Sequence, residues 1–167
     1  MRKLALTFTV AALAAAGCGE KEETLGTQPA PPADTSATEK ERPKKPAAKK
    51  GTEVIAAGSE FGEMLYGADK QAIYIFENDP KGKSACYGEC AAAWPPVYTD
   101  GEPQAGDGVK ASLLGTTERR DGKLQVTYNG QPLYFYVNED PGEVRCHNVF
   151  LNGGLWWAVG RDGKRLP

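Results

Sequence analysis

"AIYIFENDPKGKSAC" occupies Ala72–Cys86, and "PLYFYVNEDPGEVRC" occupies Pro132–Cys146. Laid over each other at an offset of 60 residues, Tyr74 meets Tyr134, Phe76 meets Tyr136 and Asn78 meets Asn138. Asp79 then meets Glu139, Gly82 meets Gly142 and Cys86 meets Cys146. Six coincidences at one offset mark an internal repeat. Further on, Trp94 corresponds roughly to Trp156 or Trp157. A unit this small does not bury its apolar side alone, so the two copies are expected to pack on each other.

Each copy reads as strand. "QAIYIF" and "PLYFYV" alternate and are rich in aromatic and β-branched residues. Asp121-Gly122 and Asn129-Gly130 are hairpin turn signals between apolar runs. Asp162-Gly163 turns the last strand, and Ala68-Asp69-Lys70 turns a first meander that begins near Gly51. "GECAAAW" is a short helical turn near Cys90, which Pro95-Pro96 stops. The expected fold is mostly β: a single small domain of two tandem β-meander-like repeats, about 53–98 and 113–164, with that one helical turn.

Outward from the repeats, the chain divides into three. Arg2 and Lys3 open it, Leu4 to Ala16 is apolar, and Ala15-Ala16-Gly17-Cys18 closes the run with small residues. The run is too short to span a bilayer. Residues 1–17 resemble a bacterial lipoprotein signal peptide, which implies cleavage before Cys18 and lipidation of Cys18. Residues 18–50 are then the lipidated cysteine and a tether of Ala, Pro, Lys, Glu and Thr, too polar to offset its own ordering entropy. Such a chain reaches on the order of 30 Å root-mean-square. The expected location is extracytoplasmic and lipid-anchored. By resemblance Gly19 points to the outer membrane, facing the periplasm, in a Gram-negative host; in a Gram-positive host the site is the outer face of the cell membrane. Residues 51–167 form the tandem-repeat domain. They carry 11 Lys and Arg against 16 Asp and Glu, a net charge of about −5, which argues against nucleic acid as a partner.

The paired Tyr-x-aromatic-x-Asn-acid segments, with "GKSACYGECAAAWPP", "LGTTERRDGKLQVTYNGQPLYFY" and "GLWWAVGRDGK", resemble the bacterial secreted repeat lipoproteins. The resemblance covers most of Gly62 to Lys164. The family signature is Tyr-x-aromatic-x-x-Asp, met here by Tyr74, Phe76 and Asp79, and by Tyr134, Tyr136 and Glu139 with Glu in place of Asp. It implies a lipid-anchored or secreted β-rich domain and no particular activity. Cys146-His147 stands in a stretch often free of cysteine in that family.

With Cys18 lipidated, Cys86, Cys90 and Cys146 remain, an odd number in an oxidising compartment. Two solutions stay open. In one, Cys86 and Cys90 form a disulfide that braces the loop before Trp94, and Cys146 is a buried small hydrophobe. In the other, equivalent loops of the two repeats meet. Cys86, Cys90, Cys146 and the single histidine, His147, then supply three thiolates and one imidazole, a set that suits Zn²⁺ or Cu(I). Met64 is a soft extra ligand in that reading and a packing residue in the other. "EVRCH" holds only the end of a haem-attachment motif, since Glu143 stands where the first cysteine belongs. No catalytic constellation emerges. Cys146 and His147 are neighbours whose side chains face opposite ways on an extended chain. Asp79 and Glu139 read either as a carboxylate pair or as turn caps in "NDP" and "NEDP", a role Asp140 shares. The leading expectation is a non-enzymatic binding module with metal or thiol-redox chemistry at the cysteines. The alternative is a structural or interaction protein whose cysteines only brace the fold.

Overall fold

The computed structural model describes residues 49–167. The signal-like segment, Cys18 and nearly all of the tether lie outside the described residues. β1 (Lys50–Ser59) and β2 (Gly62–Gly67) form an antiparallel hairpin with Ser59 opposite Gly62. Ser59 Oγ closes it, accepting the Phe61 N–H at 3.1 Å and donating to Gly62 O at 2.7 Å. β5 (Glu102–Ala105) lies parallel on the other edge of β1. The chain leaves β2 through the expected turn. Lys70 adopts φ 65°, and Asp69 Oδ1 accepts the Gln71 N–H.

β3 (Tyr74–Phe76) is the centre of the molecule. On one side it pairs with β10 (Gly154–Ala158), which in turn carries β9 (Val149–Leu151). On the other side Tyr74 bridges Tyr134 of the second copy. A third sheet holds β4 (Tyr98–Thr99), β7 (Leu124–Tyr128) and β6 (Leu114–Glu118), with β8 (Gln131–Pro132) added to β7. Asn129-Gly130 turns β7 into β8 with φ of 51° and 75°, the left-handed pair that a tight hairpin needs. α1 (Glu89–Ala93) is the expected short helix and ends at Trp94, ahead of the two prolines.

One reading needs correction. "PLYFYV" forms no continuous strand: only Gln131 and Pro132 lie in β8, and Tyr134 makes isolated bridges to Tyr74 and Pro96. The neighbouring segment explains this. Phe135 N–H bonds Pro95 O and Val137 N–H bonds Ala93 O, but Pro95 and Pro96 have no N–H to return. A 3₁₀ turn at Ala111–Leu113 and the Asn152-Gly153 hairpin turn (φ 52° and 86°) also went unread. The second carried a recognisable turn dipeptide.

The core has two faces. Ala72, Tyr74 and Phe76 join Met64, Tyr66, Cys86, Trp94, Tyr134, Cys146 and Trp156 in one cluster. Ile73 and Ile75, the alternate positions of the same run, join Val54, Leu65, Val97, Val126, Tyr128 and Leu133 in the other. β3 is therefore buried on both sides, which is why its sequence is continuously apolar rather than alternating with polar residues.

Candidate functional site

The residues that define the repeat meet at the join between the copies. Tyr74 N–H donates to Tyr134 O at 2.8 Å, and Tyr134 N–H returns to Tyr74 O at 3.0 Å. Around this reciprocal pair, contacts come in couples that exchange when the copies are exchanged. Tyr74 Oη donates to Glu139 Oε1 at 2.8 Å, and Tyr134 Oη donates to Asp79 Oδ2 at 2.8 Å. Each copy's tyrosine is thus held by the other copy's acid. The same acids cap their own loops: Asp79 Oδ1 accepts the Ala85 N–H (2.7 Å) and Glu139 Oε1 the Arg145 N–H (2.6 Å). Gly82 N–H reaches Gly130 O, and Gly142 N–H reaches Lys70 O. Gly82 and Gly142 sit at φ 72° and 87°, where a side chain is disfavoured.

The aromatic rings repeat the exchange. Phe76, Trp156, Trp94 and Tyr136 form one stack, with centroid separations of 4.5, 3.7 and 4.5 Å in that order. Trp94 and Trp156 are parallel to within 2°. Tyr74 meets Trp94 edge-on at 5.5 Å, and Tyr134 meets Trp156 edge-on at 5.2 Å. Asp79 and Glu139 therefore act as turn caps and cross-braces, each engaged by the opposite tyrosine, not as a carboxylate pair. Asp140 is exposed, and its N–H bonds Glu143.

The symmetry breaks at sulfur. Cys86 and Cys90 are joined in a disulfide with Cα atoms 5.3 Å apart, tying the loop after Asp79 to α1. No cysteine follows Cys146 in the second copy, so Cys146 has no counterpart sulfur and is a free, buried thiol. Burial first, and then the Glu139 charge and hydrogen bond, push the Cys146 thiol up to about 12, so it is protonated and unreactive at neutral pH. His147 faces away from it. Its Nε2 contacts Pro167 O (2.9 Å), its Nδ1 accepts the Ala158 N–H (3.4 Å), and its ring lies against Phe61. The expected meeting of Cys86, Cys90, Cys146 and His147 as Zn²⁺ or Cu(I) ligands is thus corrected. Two of the thiolates are spent in the disulfide and the remaining pair diverges. Met64 is fully buried in the core cluster. Among the described residues no group of three or more His, Cys, Asp or Glu is arranged to hold a metal.

One residue at the join went unread in the sequence. Arg119 is 4 % exposed. Its Nη1 donates to Gln125 Oε1 (2.7 Å) and to Ser84 Oγ, and its Nη2 to Cys86 O (2.7 Å). Ser84 Oγ lies 2.6 Å from Tyr134 Oη, so a hydrogen-bonded line runs from the guanidinium to the Asp79 carboxylate. Among the described residues no carboxylate is in direct contact with Arg119; its charge acts on Asp79 from a distance.

Burial dominates at both acids. It pushes the Asp79 carboxyl up to about 6, against the Ala85 N–H, the Tyr134 hydroxyl and the Arg119 charge. Glu139 is raised too, by burial, against the Arg145 N–H and the Tyr74 hydroxyl. A carboxyl whose folded pKa lies above its unfolded one binds protons more tightly when native, so stability rises as pH falls through the folded value. Between pH 7 and pH 5 the Asp79 contribution should raise the unfolding free energy by about 1 kcal/mol, with Glu139 adding in the same sense. Urea midpoints at the two pH values measure it, and Asp79→Asn should flatten the difference. A wild-type chain that weakens over this interval would show that the hydrogen bonds, not burial, set the balance.

A family model described as a secreted repeat of unknown function matches residues 48–98 and 115–159, which together bracket the join on both sides. No curated protein and no solved structure matches the chain. The two matched segments carry Tyr74, Phe76 and Asp79 in one and Tyr134, Tyr136 and Glu139 in the other, the residues that interlock across the repeat, and the chain belongs to that secreted repeat family.

Proposed function

We propose that the chain is an extracytoplasmic lipoprotein whose β domain works as a non-enzymatic binding module on a tether. Cys18 is the lipid-bearing residue and residues 19–50 are the spacer. In a Gram-negative host the module faces the periplasm from the outer membrane; in a Gram-positive host it stands on the outer face of the cell membrane. The family's description as secreted and the Cys86–Cys90 disulfide, a bond at home in oxidising compartments, support the location.

One observation carries the binding-module reading. The groups with chemical potential that the repeat singles out are buried: Tyr74, Tyr134, Asp79 and Glu139 hold the copies together, Cys86 is spent in a disulfide within its own copy, and Cys146 is a buried free thiol. The cysteines brace the fold, and function falls to the surface it presents. A net charge of about −5 on the domain disfavours nucleic acid there.

Cys18→Ala tests the anchor. Expressed in a bacterial host with lipoprotein processing, the native chain should take up labelled palmitate and fractionate with membranes. The variant should do neither. A variant that stays membrane-bound would overturn the lipid-anchored reading.

A further inference from the structure

The three tryptophans differ in one respect. Trp94 Nε1 donates to Asn152 Oδ1 and Trp156 Nε1 donates to Leu151 O, each at 3.0 Å. Trp157 Nε1 is buried and has no partner among the described residues. Among the described residues Gln131 Oε1, an acceptor, and Arg119 Nε, away from this cleft, are in the same condition. A buried donor or acceptor without a partner carries a desolvation cost that no contact offsets, and each such group in a folded protein calls for an explanation.

Trp157 and Gln131 line the same half-open cleft, of about 350 Å³, within the range of small-ligand sites. Ile75, Phe76 and Trp157 are its apolar lining residues. Lys81, Lys164 and Arg165 stand around it, against one carboxylate, Glu77. Glu77 Oε1 already accepts the Leu155 N–H at 2.9 Å. Lys164 has Asp162 at 3.6 Å, an exposed pair that competes weakly for it. Arg165 lies over the indole, 4.6 Å from the ring centre. On a domain that is acidic as a whole, this cleft is a local concentration of positive charge beside an aromatic surface.

We propose that the cleft binds an acidic sugar of the hexuronate type, a single ring bearing one carboxylate. The proposal rests on the binding-module reading above and names its ligand. Hydroxyl groups both donate and accept, so one ring can answer an unpaired N–H and an unpaired C=O together. The C–H face of a sugar suits the apolar lining at Ile75 and Phe76, and the carboxylate suits the three cations. A simple anion such as phosphate lacks the apolar face. A neutral sugar leaves the cations unused. The ring is either a free sugar acid or the end of an acidic envelope polysaccharide.

The test is a titration of the ¹⁵N-labelled full chain with D-glucuronate, D-glucose and an oligogalacturonide, followed at the indole N–H resonances. The Trp157 signal should move saturably, while those of Trp94 and Trp156, already hydrogen-bonded, should stay. The acid should bind roughly tenfold or more tightly than glucose. Trp157→Phe, which keeps a ring, and Gln131→Leu, which keeps the volume, should each weaken binding by roughly tenfold. If Trp157→Phe shifts the urea midpoint, Gln131→Leu and Lys164→Ala carry the comparison. Tighter binding of the oligomer identifies a polymer end as the source, and equal affinity identifies the free sugar. No saturable shift at millimolar acid, equal binding of glucose, or unchanged affinity in the variants would overturn the proposal. A null titration together with Cys18-dependent membrane retention overturns this ligand alone; membrane retention without Cys18 overturns the anchored reading itself.

Discussion

Trp156→Ala should remove about 3–5 kcal/mol of stability, the range for emptying a fully buried indole position. Trp156 has no exposed surface and stands between Phe76 and Trp94 in the ring stack, with Tyr134 against its edge. Its removal leaves a cavity at the join between the copies. A domain of this size is stable by about 5–15 kcal/mol, so the variant should lie near the limit of folding. Urea unfolding of the wild type and the variant checks this, with the midpoint falling and the slope unchanged. The matching Trp94→Ala and the double variant should show coupling of about 0.5–1.5 kcal/mol between the rings. A loss below about 1 kcal/mol for Trp156→Ala would mean that the repeats are held by something other than the stack.

Arg119→Met should cost about 3 kcal/mol at pH 7. Methionine keeps most of the volume but leaves Gln125 Oε1 and Cys86 O without their donor. It also removes the positive charge that opposes protonation of Asp79. The sign of the pH effect follows. Without Arg119 the Asp79 carboxyl is raised further above about 6, and the added cost appears where Asp79 would otherwise be ionised. The loss should therefore be larger at pH 7 than at pH 5, widening the acid stabilisation already expected of the wild type. Measurement of both chains at both pH values separates the contributions. An equal loss at the two values would show that Arg119 acts through hydrogen bonds and packing alone.

These expectations describe a join built by exchange. Each copy contributes a tyrosine, an acid and a tryptophan, and each finds its partner in the other copy. A single repeat would leave Asp79 or Glu139 with its own loop cap but without the tyrosine hydroxyl of the other copy. The tandem arrangement is thus a requirement of the chemistry at the join as well as of apolar area. The sulfur chemistry is local by contrast. The disulfide lies within one copy, and its role is to fix the loop between Asp79 and Trp94.

Much of this architecture was present in the chain itself. The offset between Tyr74 and Tyr134, the strand character of β3, the turns at Lys70, Asn129-Gly130 and Gly163, and the end of α1 at Pro95 are local or periodic properties. Dihedral preference and side-chain alternation determine them, and both can be read along one dimension. What needed the third dimension was the identity of partners. The sequence placed Tyr74 and Asp79 in one motif, but only the packing of the copies gives Tyr74 to Glu139 and Asp79 to Tyr134. The spacing of Cys86, Cys90, Cys146 and His147 was compatible with a metal centre. The disulfide between Cys86 and Cys90, and a histidine turned toward Pro167, decided against it. Arg119 looks like any surface cation in "ERRDG" until Ser84, Gln125 and Cys86 close around it. Trp157 looks equivalent to Trp156 until one indole N–H finds Leu151 and the other finds no partner among the described residues. Residue types and their order set which contacts are chemically possible; distances across the fold set which are made, because hydrogen bonds and disulfides act only over a few ångströms.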